Sequence, residues 1–209
     1  MARRTQGTSA GLDRARIAAA AVALVDRDGL ERFGVRRLAQ ELGVDPMSIY
    51  HHIKGKAALL DAVSEAALGE VAVGADEDAP RHWEDIARRT AHRYRDMAYR
   101  HPRVFPVLVT RAQTSPVAVA ALEELVSAMR AAGVPDRVAA DAPMVLFGFL
   151  NGHLLACTAD EPGAVPAFDA AAHPGMAALA PLMEGFGSRA EFDRMLETVL
   201  AGIRLSSAS

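Results

Sequence analysis

Asp45-Pro46-Met47-Ser48-Ile49-Tyr50-His51-His52 follows a short helical pattern, residues 35–42, across a single glycine, Gly43. Two short helices joined by so tight a turn make a helix-turn-helix, whose second helix is the element that reads a DNA groove. Gly43 stands where the turn needs a positive φ, which glycine adopts without a Cβ penalty. Asp45 can cap the helix that follows, and Pro46 suits its first position, where the N–H has no intrahelical partner anyway. Leu38, Leu42, Val44, Ile49 and Ile53 fall inward at helical spacing, and the small side chain of Ala39 lets the two helices cross closely. Met47, Ser48, Tyr50, His51 and His52 are left on the outer surface of the helix over 46–53, where side chains can meet base edges and phosphates.

Upstream, Leu12-Asp13 opens a first helix with Asp13 as N-cap. Ile17, Ala20, Ala21, Leu24 and Val25 form its apolar stripe, and Asp28-Gly29 closes it with a left-handed glycine cap. Downstream, Lys54 and Lys56 flank Gly55 at the start of a fourth helix over 56–73, where free N–H groups and cations together suit a phosphate. Arg36 and Arg37 can reach a phosphate or a guanine edge. Arg3 and Arg4 lie on an amino-terminal arm, residues 1–11, that can add further contacts.

Charge agrees with this placement. Residues 1–56 carry 10 Lys+Arg and 6 Asp+Glu, a net of +4, while the other 153 residues carry 13 and 20, a net of −7. A basic module on an acidic body fits an amino-terminal end that meets a polyanion. With 209 residues, 51% hydrophobic and 23% charged, the chain has the composition of a soluble globular protein with room for a sizeable core. The one cysteine, Cys157, excludes an intrachain disulfide and points to the cytoplasm. No apolar run is read as membrane-spanning, and residues 1–7 lack the apolar core of a signal peptide.

The rest reads as helical throughout, so the fold class is all-α. After a break at residues 74–80, helical patterns run over 81–100, 103–111 and 116–132. Another opens at Pro135 and passes through Val145, Leu146, Phe149, Leu154 and Leu155. Residues 161–174, with three prolines and a glycine, read as a loop. A last helix over 189–205 puts Phe192, Met195, Leu196, Val199, Leu200 and Ile203 on one side. There is no sustained period-two alternation and no internal repeat.

The run Arg36-Arg37-Leu38-Ala39-Gln40-Glu41-Leu42-Gly43-Val44, then Ile49-Tyr50, then His52-Ile53-Lys54-Gly55-Lys56-Ala57-Ala58-Leu59-Leu60-Asp61 resembles, over residues 12–61, the DNA-binding domain of the TetR family of bacterial transcriptional repressors. The resemblance implies operator contacts from Val35, Arg36, Pro46, Met47, Ser48, Tyr50, His51 and Lys56, with His52 bracing the motif more than reading bases. Gly34-Val35 departs from the threonine pair common at that helix start. Glycine can still occupy the cap, but the hydroxyl contacts are gone. Residues 1–56 are therefore expected to be the DNA-binding domain, residues 57–209 a larger helical bundle for effector binding and dimerisation, and the helix over 56–73 their connector.

Residues 81–205 resemble, more loosely, the carboxy-terminal domain of the tetracycline repressor branch. The likeness rests on Trp83-Glu84-Asp85, His101, the run Gly-Phe-Leu-Asn-Gly-His-Leu-Leu over 148–155, and the apolar final helix. It implies a homodimer paired through the helices over about 136–157 and 189–205. The excess of apolar positions on the last helix, and Gly148 and Gly152, which permit close helix approach, point the same way. A mostly apolar effector pocket between the body helices would draw on Tyr94, Met97, Leu108, Arg111, Phe147, Asn151 and His153. Leu108 stands where that repressor has its magnesium-holding histidine, Arg111 replaces a nearby threonine, and Thr90 replaces a drug-contacting asparagine. Neither tetracycline nor magnesium is therefore expected.

Absent are a Gly-x-Ser-x-Gly elbow, a phosphate-binding loop, a dinucleotide fingerprint and paired histidines at metal-ligand spacing. An enzyme, a cofactor and a metal site are accordingly not expected, and Cys157 reads as a buried small residue. The expected partners are double-stranded operator DNA, a second copy of the chain and a small-molecule effector. That effector tilts the fourth helix and spoils the spacing of the two readers. Two other readings remain open at this point: a constitutive DNA-binding regulator that senses nothing, and an interaction dimer whose reader has decayed.

Overall fold

A computed structural model describes residues 11–72, 82–159 and 167–207. The arm residues Arg3 and Arg4, the break at 74–80 and the start of the expected 161–174 loop lie outside the described residues. The described elements are helices α1 (Arg14–Asp28), α2 (Val35–Leu42), α3 (Pro46–His52), α4 (Gly55–Ala72), α5 (Trp83–Arg100), α6 (Phe105–Val109), α7 (Pro116–Ala131), α8 (Asp136–Thr158), α9 (Pro174–Leu179) and α10 (Arg189–Ser207). Short 3-10 turns at Leu30–Arg32 and Ala180–Met183 complete them. No strand occurs among the described residues, so the all-α expectation holds.

Each boundary in the first part has a local cause. The Asp13 carboxylate accepts the Arg16 N–H at 2.7 Å and starts α1. Ile17, Ala21, Leu24 and Val25 are fully buried along its inner face. Gly29 ends the helix with φ 80° and ψ 160°, its N–H bonded to Val25 O. This corrects the expected left-handed cap: φ is positive as foreseen, but ψ is extended. The chain leaves directly into the 3-10 turn, which periodicity over three residues cannot announce. At the other end of the motif, Gly43 is left-handed, φ 66° and ψ 31°, and closes α2. Ile53, expected inside the third helix, is instead its extended C-cap.

Helix α4 carries the chain from the amino-terminal helices into the body. It packs on α1 at one end and on α5, α6 and α7 along its length. Leu59, Ala62, Val63 and Ala67 are buried among these neighbours. Truncating a fully buried Leu or Ile here, such as Leu59 or Ile17, costs about 2–5 kcal/mol.

Two features of the body differ from expectation. Helix α8 is 23 residues long and holds an 18-residue stretch of mean hydropathy 1.3, enough by length and composition to cross a bilayer. Only 28% of that stretch is buried within the chain, and Pro143, Asn151 and His153 interrupt it. Helix α9 follows the proline-rich segment although no helix is expected there. None of its residues is buried, so it leaves no apolar stripe to read.

Candidate nucleic-acid interface and effector cavity

The geometry of α3 begins with its caps. The Asp45 side chain accepts the Met47 N–H at 2.8 Å, and Pro46 fills the first helical position. The Val44 N–H reaches back to Ala39 O at 3.0 Å, so α2 and α3 leave the turn at a fixed angle. Ile49 and Ile53, 1% and 2% exposed, fasten α3 to the core with Leu38. At about 100° per residue, the face opposite Ile49 is centred between Met47 and His51. Met47 is 61% exposed, Tyr50 40%, and His51 and His52 are also exposed. Ser48 and Pro46 sit half-buried at the edges of that face.

The flanking cations divide into two kinds. Arg37 pairs with Asp28 at 3.0 Å, and Arg27 bridges Asp28 and Glu41. Hydrogen bonds from Arg27 hold both carboxyls below the usual carboxylate range. That network braces the motif. Arg36, Lys54 and Lys56 are exposed, with no carboxylate partner among the described residues. Gly34 caps α2 in extended conformation without a side-chain bond. Val35 is half-buried and packs on the core, so its contribution to an anion is its backbone N–H. The first turn of α2 has no side-chain cap, and the starts of α2 and α4, next to Arg36 and Lys56, are helix N-termini of the kind that bind phosphate.

The body encloses a cavity of about 310 Å³ between α4, α5, α6, α7 and α8. Of the expected lining residues, the structure brings together Tyr94, Leu108, Arg111, Phe147 and Asn151. Tyr94 is 2% exposed and donates its hydroxyl to Asn151 Oδ1 at 2.7 Å. Its ring meets Phe105 and Phe147 edge-on. Burial pushes the Tyr94 hydroxyl well above its ordinary range, so it stays a neutral donor. Met97 and His153 lie outside the cavity lining. Met97 is buried one turn further along α5. His153 is two residues from Asn151, about 200° around the helix, so the two cannot share a face. It packs instead among Phe149, Phe186 and Phe192, with Nε2 3.5 Å from Cys157 Sγ. Burial lowers the His153 pKa and raises that of the Cys157 thiol, which favours the neutral form of each.

Sequence reasoning missed the floor and the mouth of this cavity. Leu68 and Val71 of α4, Gln113 in the α6–α7 turn, and Met144 of α8 all line it. The only sequence signal of Leu68, Val71 and Met144 is an apolar stripe indistinguishable from core, and Gln113 in its turn gives none. The link between cavity and α4 also escaped notice. Arg111 Nε donates to Asp61 Oδ1 at 2.7 Å, and Nη2 donates to Ala57 O at 3.1 Å. Both acceptors are on α4, and Ala57 follows Lys56 directly. Gln113 Nε2 donates to Leu108 O and Arg111 O and closes the turn that holds Arg111.

Two helices leave apolar surface uncovered. On α8, Met144 and Val145 are 76% and 51% exposed, with Gly148 and Gly152 open beside them. On α10, Met195 and Leu205 are exposed. Among the described residues no cluster of three or more His, Cys, Asp or Glu is placed to hold a metal ion.

Comparison with known proteins follows the same division. Residues 17–63 match the family model for bacterial regulatory proteins, tetR family, and residues 77–206 match that for the tetracyclin repressor-like C-terminal domain. An HTH-type transcriptional regulator of Saccharopolyspora erythraea is 31% identical over 198 residues, covering 90% of this chain and 83% of the relative. The HTH-type transcriptional repressor DrrR1 of Streptomyces coeruleorubidus is 31% identical over 159 residues; the match takes in 72% of this chain and 55% of that longer relative. The structure of the TetR family protein ActR from Streptomyces coelicolor in complex with actinorhodin superposes with a TM-score of 0.80 at 26% identity, covering 96% of this chain and 100% of ActR.

Proposed function

The chain belongs to the TetR family of bacterial transcriptional regulators, and from that membership we propose that it is a cytoplasmic repressor, released from a palindromic operator by a small-molecule effector. Residues 1–56 form the reader and residues 57–209 the effector-binding and dimerising body, with α4 as connector. Two copies pair through the uncovered apolar faces of α8 and α10. Pairing sets two α3 helices about one DNA turn, 34–36 Å, apart, so that they enter successive major grooves. Met47, Ser48, Tyr50 and His51 face the bases and nearby phosphates. Pro46, the Val35 amide, Arg36 and Lys56 hold the backbone.

The observation that carries the coupling is Arg111, which forms part of the cavity wall and is bonded to the first two turns of α4. A guest that disturbs this wall acts on the helix that begins beside Lys56. It therefore stabilises a state in which the readers no longer match the operator spacing. ActR, solved with actinorhodin, supports reading the cavity as an effector site in this chain too. Coupling between effector and DNA of about 1–3 kcal/mol is usual for such a device.

The test has two stages. Duplexes selected from a random pool should give a two-fold symmetric site, bound by a dimer in sedimentation. A screen of flat, mostly apolar compounds should then find members that release it. A dimer that binds one palindrome and is released by no compound occupying the cavity would contradict the effector half of the proposal.

A further inference from the structure

Among the described residues that line the cavity, Arg111 is the one that is formally charged. The other polar groups of the wall, Thr90, Tyr94, Gln113 and Asn151, are neutral. A polar cleft between α1, α4 and the α6–α7 turn adjoins the cavity at Arg111 and Gln113. It is lined by Arg14, Asp61, Ser64 and Glu65 and shares Arg111 and Gln113 with the cavity. The carboxylates of Asp61 and Glu65 belong to the cleft alone. A molecule arriving from the cavity therefore meets the guanidinium before it meets either acid.

Ser64 adds an independent observation. Its side chain is on the cleft wall and 3% exposed, yet its hydroxyl has no hydrogen-bond partner among the described residues. A buried hydroxyl left unpaired costs stability and marks a place where an acceptor belongs. Arg111 can offer its planar five-donor fork to a new carboxylate, which then replaces Asp61 as its counter-ion. Asp61 can release it at little cost, since the Asp61 side chain is half-exposed and water can resolvate it.

We propose that the effector is an amphipathic acid: a flat apolar body fills the cavity, and an anionic oxygen at one end takes Arg111 from Asp61, within reach of the Ser64 hydroxyl. This rests on the reading of the cavity as the effector site and adds the ligand's charge and the point at which it acts. The exchange breaks the Arg111 bonds to Asp61 and to Ala57 O, and so frees the first two turns of α4. A neutral molecule of the same shape fills the cavity but leaves that tie in place.

The experiment uses matched pairs, 2-naphthoate with 2-naphthamide and anthraquinone-2-carboxylate with its amide, titrated calorimetrically into the full-length dimer. The acid should bind about tenfold or more tightly than the amide, as a charge-assisted, forked hydrogen bond implies, and it alone should release a selected operator. Arg111→Gln should abolish the difference between acid and amide. Asp61→Asn, which frees Arg111 without removing it, should strengthen acid binding several-fold, and it decides the matter should the Arg111 variant not fold. Equal binding of acid and amide by the wild type, or an acid preference that survives Arg111→Gln, overturns the inference while the cavity remains the effector site. Equal acid affinity in Asp61→Asn and wild type overturns it likewise. If no compound of either pair binds at millimolar concentration, the cavity reading itself falls and takes this inference with it.

Discussion

His101 Nδ1 lies 2.5 Å from Asp26 Oδ2, which joins the end of α5 to the last turn of α1. The other ring nitrogen is 3.0 Å from Glu70 Oε1 on α4. One imidazole thus touches the reader, the connector and the body. Arg103 adds donors to the carbonyls of Arg27 and Asp26. His101→Ala should lower stability by about 1–3 kcal/mol, because it strands a partly buried carboxylate. It should also weaken the dependence of operator binding on effector. A melting temperature and an effector response equal to those of wild type would remove His101 from the coupling path.

Tyr50→Ala and Lys56→Ala should each weaken operator binding while leaving the dimer intact, because both side chains are exposed and have no task inside the fold. Lys56→Ala should also reduce the salt slope of binding by about one, the signature of a lost phosphate contact. Fluorescence anisotropy across a salt series measures both effects. Unchanged affinity and slope would take these residues off the DNA.

The reader's geometry depends on the cap before α3. Asp45→Ala removes the acceptor for the Met47 N–H and should cost about 1 kcal/mol of stability, with operator binding falling further than stability does. Asp45→Asn, which keeps an oxygen acceptor, should restore most of both. Thermal melts and operator titrations on the three proteins decide it.

Filling the cavity should separate its two roles. Ala121 of α7 is half-buried on the wall. Ala121→Phe should leave operator binding near wild type and abolish release by any compound that frees the wild type. Loss of DNA binding in the absence of compound would mean that the cavity must be open for the repressing state itself.

Acid should loosen the body at a defined place. Burial of Glu84 works against its ionisation, but hydrogen bonds from Arg204 and Arg88 outweigh this and hold its carboxyl below the usual range. A lowered folded-state pKa gives stability that is present above the unfolded value of 4.5 and is lost as pH falls through the folded one. Glu84→Gln should therefore destabilise the chain at neutral pH, and the gap to wild type should narrow below pH 4.5. A gap constant from neutral to acid pH would contradict the bridge.

The reader was legible in the sequence because its constraints are local. Asp13, Gly43, Asp45 and Pro46 act within four residues of themselves, and the inward positions Leu38, Ile49 and Ile53 repeat at helical spacing. The cavity was legible only in part. Phe147 and Asn151 are one turn apart on α8 and share a face, whereas His153 is on the other side of the same helix. Periodicity gives such relations within one helix, but not which neighbour each face meets. Leu68 and Val71 look like any buried stripe of α4 until the other helices of the cavity wall are placed around them. The Arg111–Asp61 tie spans 50 residues, and neither residue announces the other.

The most direct measurement is the symmetry and spacing of the duplex that the full-length protein selects from a random pool, read by sequencing and footprinting at physiological salt. The account predicts a palindrome with half-sites centred about one helical turn apart, bound by one dimer, with binding weakened by Tyr50→Ala. Binding without sequence preference, or to a single asymmetric half-site by a monomer, would contradict it.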